Sequence, residues 1–295
     1  MRSITTGFDY ILDLAFQVDA PALAILGESG RDQACRVAPL NEGTMDTRLI
    51  MLARRGNPAL SANGRRVAFI DWQYNQSNPV CLDLISDQRD RLDWISDSGR
   101  LIFSPDCKNL FIVEGDSGPR SAVIRWSIGA DSMLRRVPSV SYMFGMAAHP
   151  DGRRLACCNI ERLDIVSFSP DVDSGQWHIG LNASDAKFAC DGKTLALAAG
   201  SNVVLWDPQS GQQRLALIGH EDRVMAMAFT PDGRRLATAG SDHCVKLWNV
   251  ADGRLLRTYR WPINGISALA FSHDGLTAAA GSNTGDVLIW DMDHD

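Results

Sequence analysis

His220 and Asp242 stand close together in the chain, and a histidine beside a carboxylate is the raw material of a general-base dyad. A second candidate is Gly115-Asp116-Ser117-Gly118-Pro119, which has the form of a serine-nucleophile turn, with His149 downstream in Ala147-Ala148-His149. Its order argues against catalysis: hydrolases with that serine segment run His, Asp, Ser, whereas Ser117 precedes His149. Similar tracts, Gly27-Glu28-Ser29-Gly30 and Asp173-Ser174-Gly175, read as turn punctuation. The six histidines are scattered without HxxxH or HExxH spacing, so no metal site is expected. Cys157 and Cys158 are adjacent on a predicted strand, where neighbours face opposite ways, so core thiols are expected rather than a redox pair. No GxxxxGK[ST] or GxGxxG loop offers a phosphate or cofactor cradle. The expectation is a chain without catalytic, metal or cofactor residues, and not an enzyme.

Composition narrows the rest. The chain has 295 residues, a formal net charge of −6, and 45% hydrophobic and 22% charged residues. That length can bury an adequate core without disulfide or metal staples. Seven cysteines (Cys35, Cys81, Cys107, Cys157, Cys158, Cys190, Cys244) form no CxxC pair, which fits reduced buried thiols and a cytoplasmic location. The longest apolar runs, such as Leu276 to Gly281, are far shorter than the ~20 residues that span a bilayer. The N-terminus lacks an uninterrupted apolar stretch and a small-residue cleavage site, so neither secretion nor membrane insertion is expected. Nucleic acid is not expected as the main ligand of a mildly acidic chain. Only Lys108, Lys187, Lys193 and Lys246 are lysines; the other basic residues are arginines.

The elements that position these residues come from an internal repeat. Ala228-Phe229-Thr230-Pro231-Asp232-Gly233, followed by Leu236, recurs as Ala270-Phe271-Ser272-His273-Asp274-Gly275 and as Phe188-Ala189-Cys190-Asp191-Gly192. Further copies run through Ala148 to Gly152, Phe103 to Asp106, Leu60 to Gly64 and Ala15 to Asp19. Their turn anchors, residues 19, 63, 106, 151, 191, 232 and 274, are separated by 44, 43, 45, 40, 41 and 42 residues. Each anchor is an Asp-Gly-like turn between two apolar β-prone runs, a hairpin pattern. A third strand then ends at Trp206-Asp207, Trp248-Asn249 and Trp290-Asp291, with Trp126 in the third repeat. Gln213 to Ile218 and Arg254 to Tyr259 supply fourth strands.

A period of 40 to 45 residues with four strands and a Trp-Asp pair resembles the WD-repeat β-propeller family. The resemblance is strongest over residues 212–291 and faint before Pro105, where Ala38 stands at the first tryptophan position. It implies an all-β fold: one domain over residues 1–295, a seven-bladed β-propeller of four-stranded antiparallel blades. The last repeat stops after its third strand, so the β-prone Ser3-Ile4-Thr5-Thr6 is expected to pair onto it and close the ring.

The resemblance also reassigns the opening pair. His220, Thr238, Asp242 and Trp248 match the family's structural tetrad, a buried hydrogen-bond chain rather than a dyad. The seventh repeat has Pro262, Ala279 and Thr284 where His, Thr and Asp would stand, so it depends on apolar packing. WD-repeat proteins commonly bind partners on the rim where each outer strand leads into the innermost one. The positions six and four residues before the Phe equivalent are Tyr10 and Leu12, Arg54 and Gly56, Asp97 and Gly99, Tyr142 and Phe144. The later repeats give Asn182 and Ser184, Arg223 and Met225, Gly265 and Ser267, with Ser241 and Asn283 on the same rim. Aromatic, arginine and methionine side chains there suit a protein or peptide ligand. The expected function is a non-catalytic interaction module or scaffold subunit, itself monomeric within a hetero-complex for signalling, defence or assembly. The alternative is a small-molecule sensor or enzyme using the axial channel, which would need inward carboxylates or histidines. The alignment supplies no inward-pointing set at equivalent positions of the repeats.

Overall fold

A computed structural model describes the chain apart from residues 41–47, 53–57, 74–75, 93–99, 115–121, 130–132, 139–143, 159, 170–173, 262 and 293–295. The described strands form seven four-stranded antiparallel sheets, six of them built from four consecutive strands each. The innermost strands are Tyr10–Phe16, Ala59–Leu60, Arg100–Phe103, Gly145–Ala148, Asp185–Phe188, Val224–Phe229 and Ile266–Phe271, which define blades 1 to 7. Each innermost strand lies against that of the next blade, and Ile266–Phe271 returns to Tyr10–Phe16, giving a seven-bladed β-propeller.

The core is divided among the seven junctions between blades. Leu26 and Cys35 of blade 1 meet Val67 and Leu82 of blade 2, and Ile70 meets Leu110 and Trp126 of blade 3. Val123 meets Leu155 of blade 4, and Leu163 meets Leu197 and Trp206 of blade 5. Leu205 meets Trp248 of blade 6, and Val245 meets Trp290 of blade 7. Finally Ala279 and Val287 of blade 7 meet Ile11 and Leu23 of blade 1. Central strands are therefore covered on both faces, which is why Leu195–Ala199 reads as an unbroken apolar run rather than alternating. Cys157 and Cys158 illustrate the geometry: one thiol packs toward blade 3 and the other toward blade 5. Burial drives both thiols well above the usual range, Cys158 up to about 12. All seven cysteines are unpaired, and only Cys190 is exposed, against the expectation that every thiol is buried.

Closure uses the N-terminal strand. Arg2–Thr5 pairs antiparallel with Asp286–Asp291, from Arg2 opposite Ile289 to Thr5 opposite Asp286. The strand starts one residue earlier than expected and ends before Thr6. Thr6 instead donates from Oγ1 to the Gly285 carbonyl at 2.6 Å and accepts from the Phe8 amide. Ser267 Oγ donates to the Ile11 carbonyl at 2.7 Å across the same seam.

The repeated glycine of the hairpin turn has a steric reason. Gly64 adopts φ +63, and a Cβ there would lie 2.8 Å from the Phe16 carbonyl oxygen of the preceding blade. Gly30 has a similar φ of +62 with nothing within 4 Å of a Cβ. Gly64→Ala and Gly30→Ala share the left-handed backbone penalty of about 1 kcal/mol. Only Gly64→Ala adds a clash with fixed backbone, of about 1–3 kcal/mol. Chemical denaturation is expected to show Gly64→Ala clearly the more destabilised; equal losses would mean that blade contact does not select glycine.

Candidate functional site

In blade 6 the four tetrad side chains form one hydrogen-bond chain. Trp248 Nε1 donates to Thr238 Oγ1 at 2.8 Å, and Thr238 Oγ1 lies 2.7 Å from His220 Nε2. His220 Nδ1 lies 2.8 Å from Asp242 Oδ2, which also accepts the Glu221 amide. Burial holds the imidazole below its ordinary pKa despite Asp242, so it is neutral at neutral pH. Burial alone would raise the Asp242 carboxyl, but hydrogen bonds from His220 and the Glu221 backbone hold it below the usual carboxylate range. A neutral imidazole facing an ionised carboxylate carries its proton on Nδ1, leaving Nε2 to accept from the threonine hydroxyl. Both ring nitrogens are thus occupied, and the chain ties one blade together.

Blades 5 and 7 lack this arrangement. Leu236 pairs with Trp248, Leu195 with Trp206, and Ala278 with Trp290. The threonine equivalents are consequently Leu197 and Ala280, the latter one residue beyond the expected Ala279. Without that hydroxyl, the buried Nε1 atoms of Trp206 and Trp290 have no hydrogen-bond partner. Thr284 bonds within its own turn, to Ser282 and Asp286, and Pro262 lies outside the described residues. His149 is likewise structural: it is buried, its Nδ1 accepts the Asp151 amide, and Nε2 lies 3.2 Å from the Gly192 carbonyl. Ser117 lies outside the described residues.

The rim residues separate into two sets. Leu12, Phe144, Ser184, Met225 and Ser267 line one axial cavity of about 700 Å³. Tyr10, Asn182 and Arg223 are not part of that lining; Tyr10 is half-buried and the other two are exposed. Ser241 donates its amide to the Arg223 carbonyl, and Asn283 to that of Gly265, so both stand beside the loops leading into the innermost strands. Arg54, Gly56, Asp97, Gly99 and Tyr142 lie outside the described residues. The inner set has a backbone cause. Strand register skips Leu12, Met225 and Ser267, each a β-bulge opposite the second strand. A bulge bends its strand and re-aims a side chain. Phe144 is 45% exposed and Met225 39%, while Ser267 is engaged by its bond to Ile11.

Three residues before the Phe equivalent, just past the bulge in blade 1, lies what the rim alignment overlooks. Asp13, Arg100 and Asp185 all stand three residues before their Phe equivalents, on the innermost strands of blades 1, 3 and 5. Lys187 follows two residues after Asp185, and all four line the axial cavity. The channel thus carries carboxylates at positions outside those the rim alignment picked out. Protein rings the cluster, yet the open channel leaves Lys187 exposed and the two carboxylates half-buried. Burial raises the Asp13 and Asp185 carboxyls above the ordinary range, against the pull of Lys187 on both. Asp185 and then Asp13 hold the Lys187 ammonium above its usual range despite desolvation. The three groups are coupled across the channel, although residue 13 and residue 185 are far apart in sequence. The Arg100 guanidinium donates to the Phe144 carbonyl at the rim. Among the described residues no group of three or more His, Cys, Asp or Glu could hold a metal ion, and no helix is long and apolar enough to cross a membrane.

The geometry defines a seven-bladed propeller with a complete His-Thr-Asp-Trp network in blade 6 and a charged axial throat. The profile described as "WD domain, G-beta repeat" matches residues 211–249 and 253–291. An uncharacterised WD repeat-containing protein of Synechocystis is 30% identical over 138 residues, 45% of this chain and 40% of that protein. Autophagy-related protein 16 of Arabidopsis thaliana is 33% identical over 113 residues, 38% of this chain and 22% of that protein. The guanine nucleotide-binding protein subunit beta of Schizosaccharomyces pombe is 40% identical over 62 residues, 21% of this chain and 20% of that protein. The matched stretch thus spans less than half of each of these relatives. Together with the repeat architecture, these matches show WD repeats over residues 211–291 and make the chain similar to divergent proteins of the WD-repeat family. Proteins of that family are in general interaction scaffolds and in general not enzymes.

Two measurements check this geometry. Trp248→Ala is expected to cost about 3–5 kcal/mol, and Thr238→Val about 1–3 kcal/mol by orphaning the Trp248 N–H. Wild-type unfolding of either variant would contradict the buried network. For the throat, a carboxyl raised by folding keeps its proton where the unfolded chain has released its own, so stability falls as pH rises above about 4. Asp13→Asn removes that penalty. Its melting temperature is expected to equal or exceed wild type at pH 7, with any advantage gone at pH 4; a loss at pH 7 would contradict the raised carboxyl.

Proposed function

We propose that this chain is a non-catalytic protein-interaction module, presenting the rim around its axial cavity to a protein or peptide partner in a signalling, defence or assembly complex. The observation that carries this reading is the exposure of Phe144 and Met225 beside that cavity. Large apolar side chains held outward by rigid strand ends are what binding hot spots use. The likeness to WD-repeat proteins supports the same reading, since those proteins generally act as scaffolds. The propeller serves as one subunit of a hetero-complex, without nucleic acid or membrane as its main ligand. The unpaired cysteines support a reducing, cytoplasmic setting.

A second reading, a small-molecule sensor or enzyme in the channel, draws on the 700 Å³ cavity and its charged lining. Among the described residues no nucleophile and base stand in hydrogen-bond contact there, and the open rim favours an extended ligand.

Phe144→Ala and Met225→Ala are each expected to reduce recovery of the proteins that co-purify with the tagged chain, without lowering the unfolding midpoint. Unchanged recovery, or recovery lost only through unfolding, would reject the rim as the docking surface.

A further inference from the structure

The axial throat allows the chemistry of the partner to be narrowed, given the rim reading above. We infer that the throat formed by Asp13, Asp185 and Lys187 receives a basic side chain, lysine or arginine, from the protein segment that docks across Phe144 and Met225.

Three observations lead there. First, the charged groups and the exposed apolar pair line the same cavity, so a segment crossing the rim can place one side chain on the axis. Second, the carboxylates come from blades 1 and 5, far apart in the chain, and face a shared space rather than one another's backbone. Asp13 does accept the Leu14 amide at 2.9 Å, but neither carboxylate forms an ion pair within 4 Å among the described residues. Third, the balance of charge favours a cation over an anion. Lys187 is fully supported, because Asp185 and Asp13 hold its proton firmly. The two carboxylates are less so: burial outweighs what Lys187 and the backbone of Leu14 and Leu60 supply to Asp13, and what Lys187, the Ala186 backbone and Arg100 supply to Asp185. An arriving ammonium or guanidinium relieves that deficit, whereas an arriving carboxylate competes with Asp185 for Lys187 and adds a third negative charge. Arg100, which donates to the Phe144 carbonyl at the rim, is the smallest of the pulls on Asp185 and does not offset its burial.

The test uses the full chain and four fluorescent pools of nonapeptides with degenerate flanks, whose central residue is Arg, Lys, Leu or Glu. Anisotropy titrations are expected to give affinities for the Arg and Lys pools about tenfold or more above the Glu pool. Asp13→Asn or Asp185→Asn, each checked by thermal melting, is expected to shrink that preference to about threefold or less. Should Asp185→Asn melt early, Asp13→Asn alone decides. Met225→Ala is expected to weaken all pools while leaving their order unchanged.

A Glu or Leu pool binding as well as the basic pools, an unchanged preference in the Asn variants, or no binding by any pool would overturn the inference. The rim reading fails separately, if basic peptides keep both affinity and preference when Phe144 and Met225 are replaced.

Discussion

Every blade of this protein has two apolar faces, and neither can be left in water. A single sheet with one buried face can stand at the edge of a layer; a blade such as Leu195–Ala199 with its neighbours cannot. Seven blades produce seven junctions only if the last meets the first, and the junction between blades 7 and 1 is as apolar as the others. Closure is thus a requirement of the packing. The strand Arg2–Thr5 meets it by covering the open edge of blade 7 with four paired residues.

The ring geometry then determines what can exist on the axis. Innermost strands cannot pair across the channel, so their free edges and the residues at their starts face a shared solvent column. Bulges at Leu12, Met225 and Ser267 turn side chains toward its mouth. One position further in, the same geometry gathers residues from blades 1, 3 and 5 into one electrostatic neighbourhood. Apolar rim and charged throat are consequences of strand ends converging, and rigidity comes from the junctions behind them.

Much of this was legible in the sequence because the repeat records it. Asp-Gly turns mark close approach to the preceding blade, as Gly64 shows. The Trp-Asp pair marks the end of the third strand, and the tetrad offsets in blade 6 correspond to a continuous hydrogen-bond chain. The throat was not legible. Asp13 and Asp185 look like isolated polar residues in separate repeats, and their coupling exists only once the ring closes. In blade 1 a bulge also shifts the alternation of the strand by one, so spacing counted from the rim misses Asp13, which follows it. Register explains the displaced tetrad position as well: Ala280, not Ala279, stands two pairs from Trp290, a difference of one residue between two alanines.

The pairing of Arg2–Thr5 with the final strand has a consequence for how the protein is made. Of the strands of the ring, the first to be synthesised waits for the last before it finds its partner. Until the last blade is made, the uncovered side of blade 1 leaves Ile11, Leu23 and Ile25 open to solvent or to a chaperone. A halted or truncated nascent chain therefore exposes two greasy ends instead of one finished toroid, a ready target for quality control.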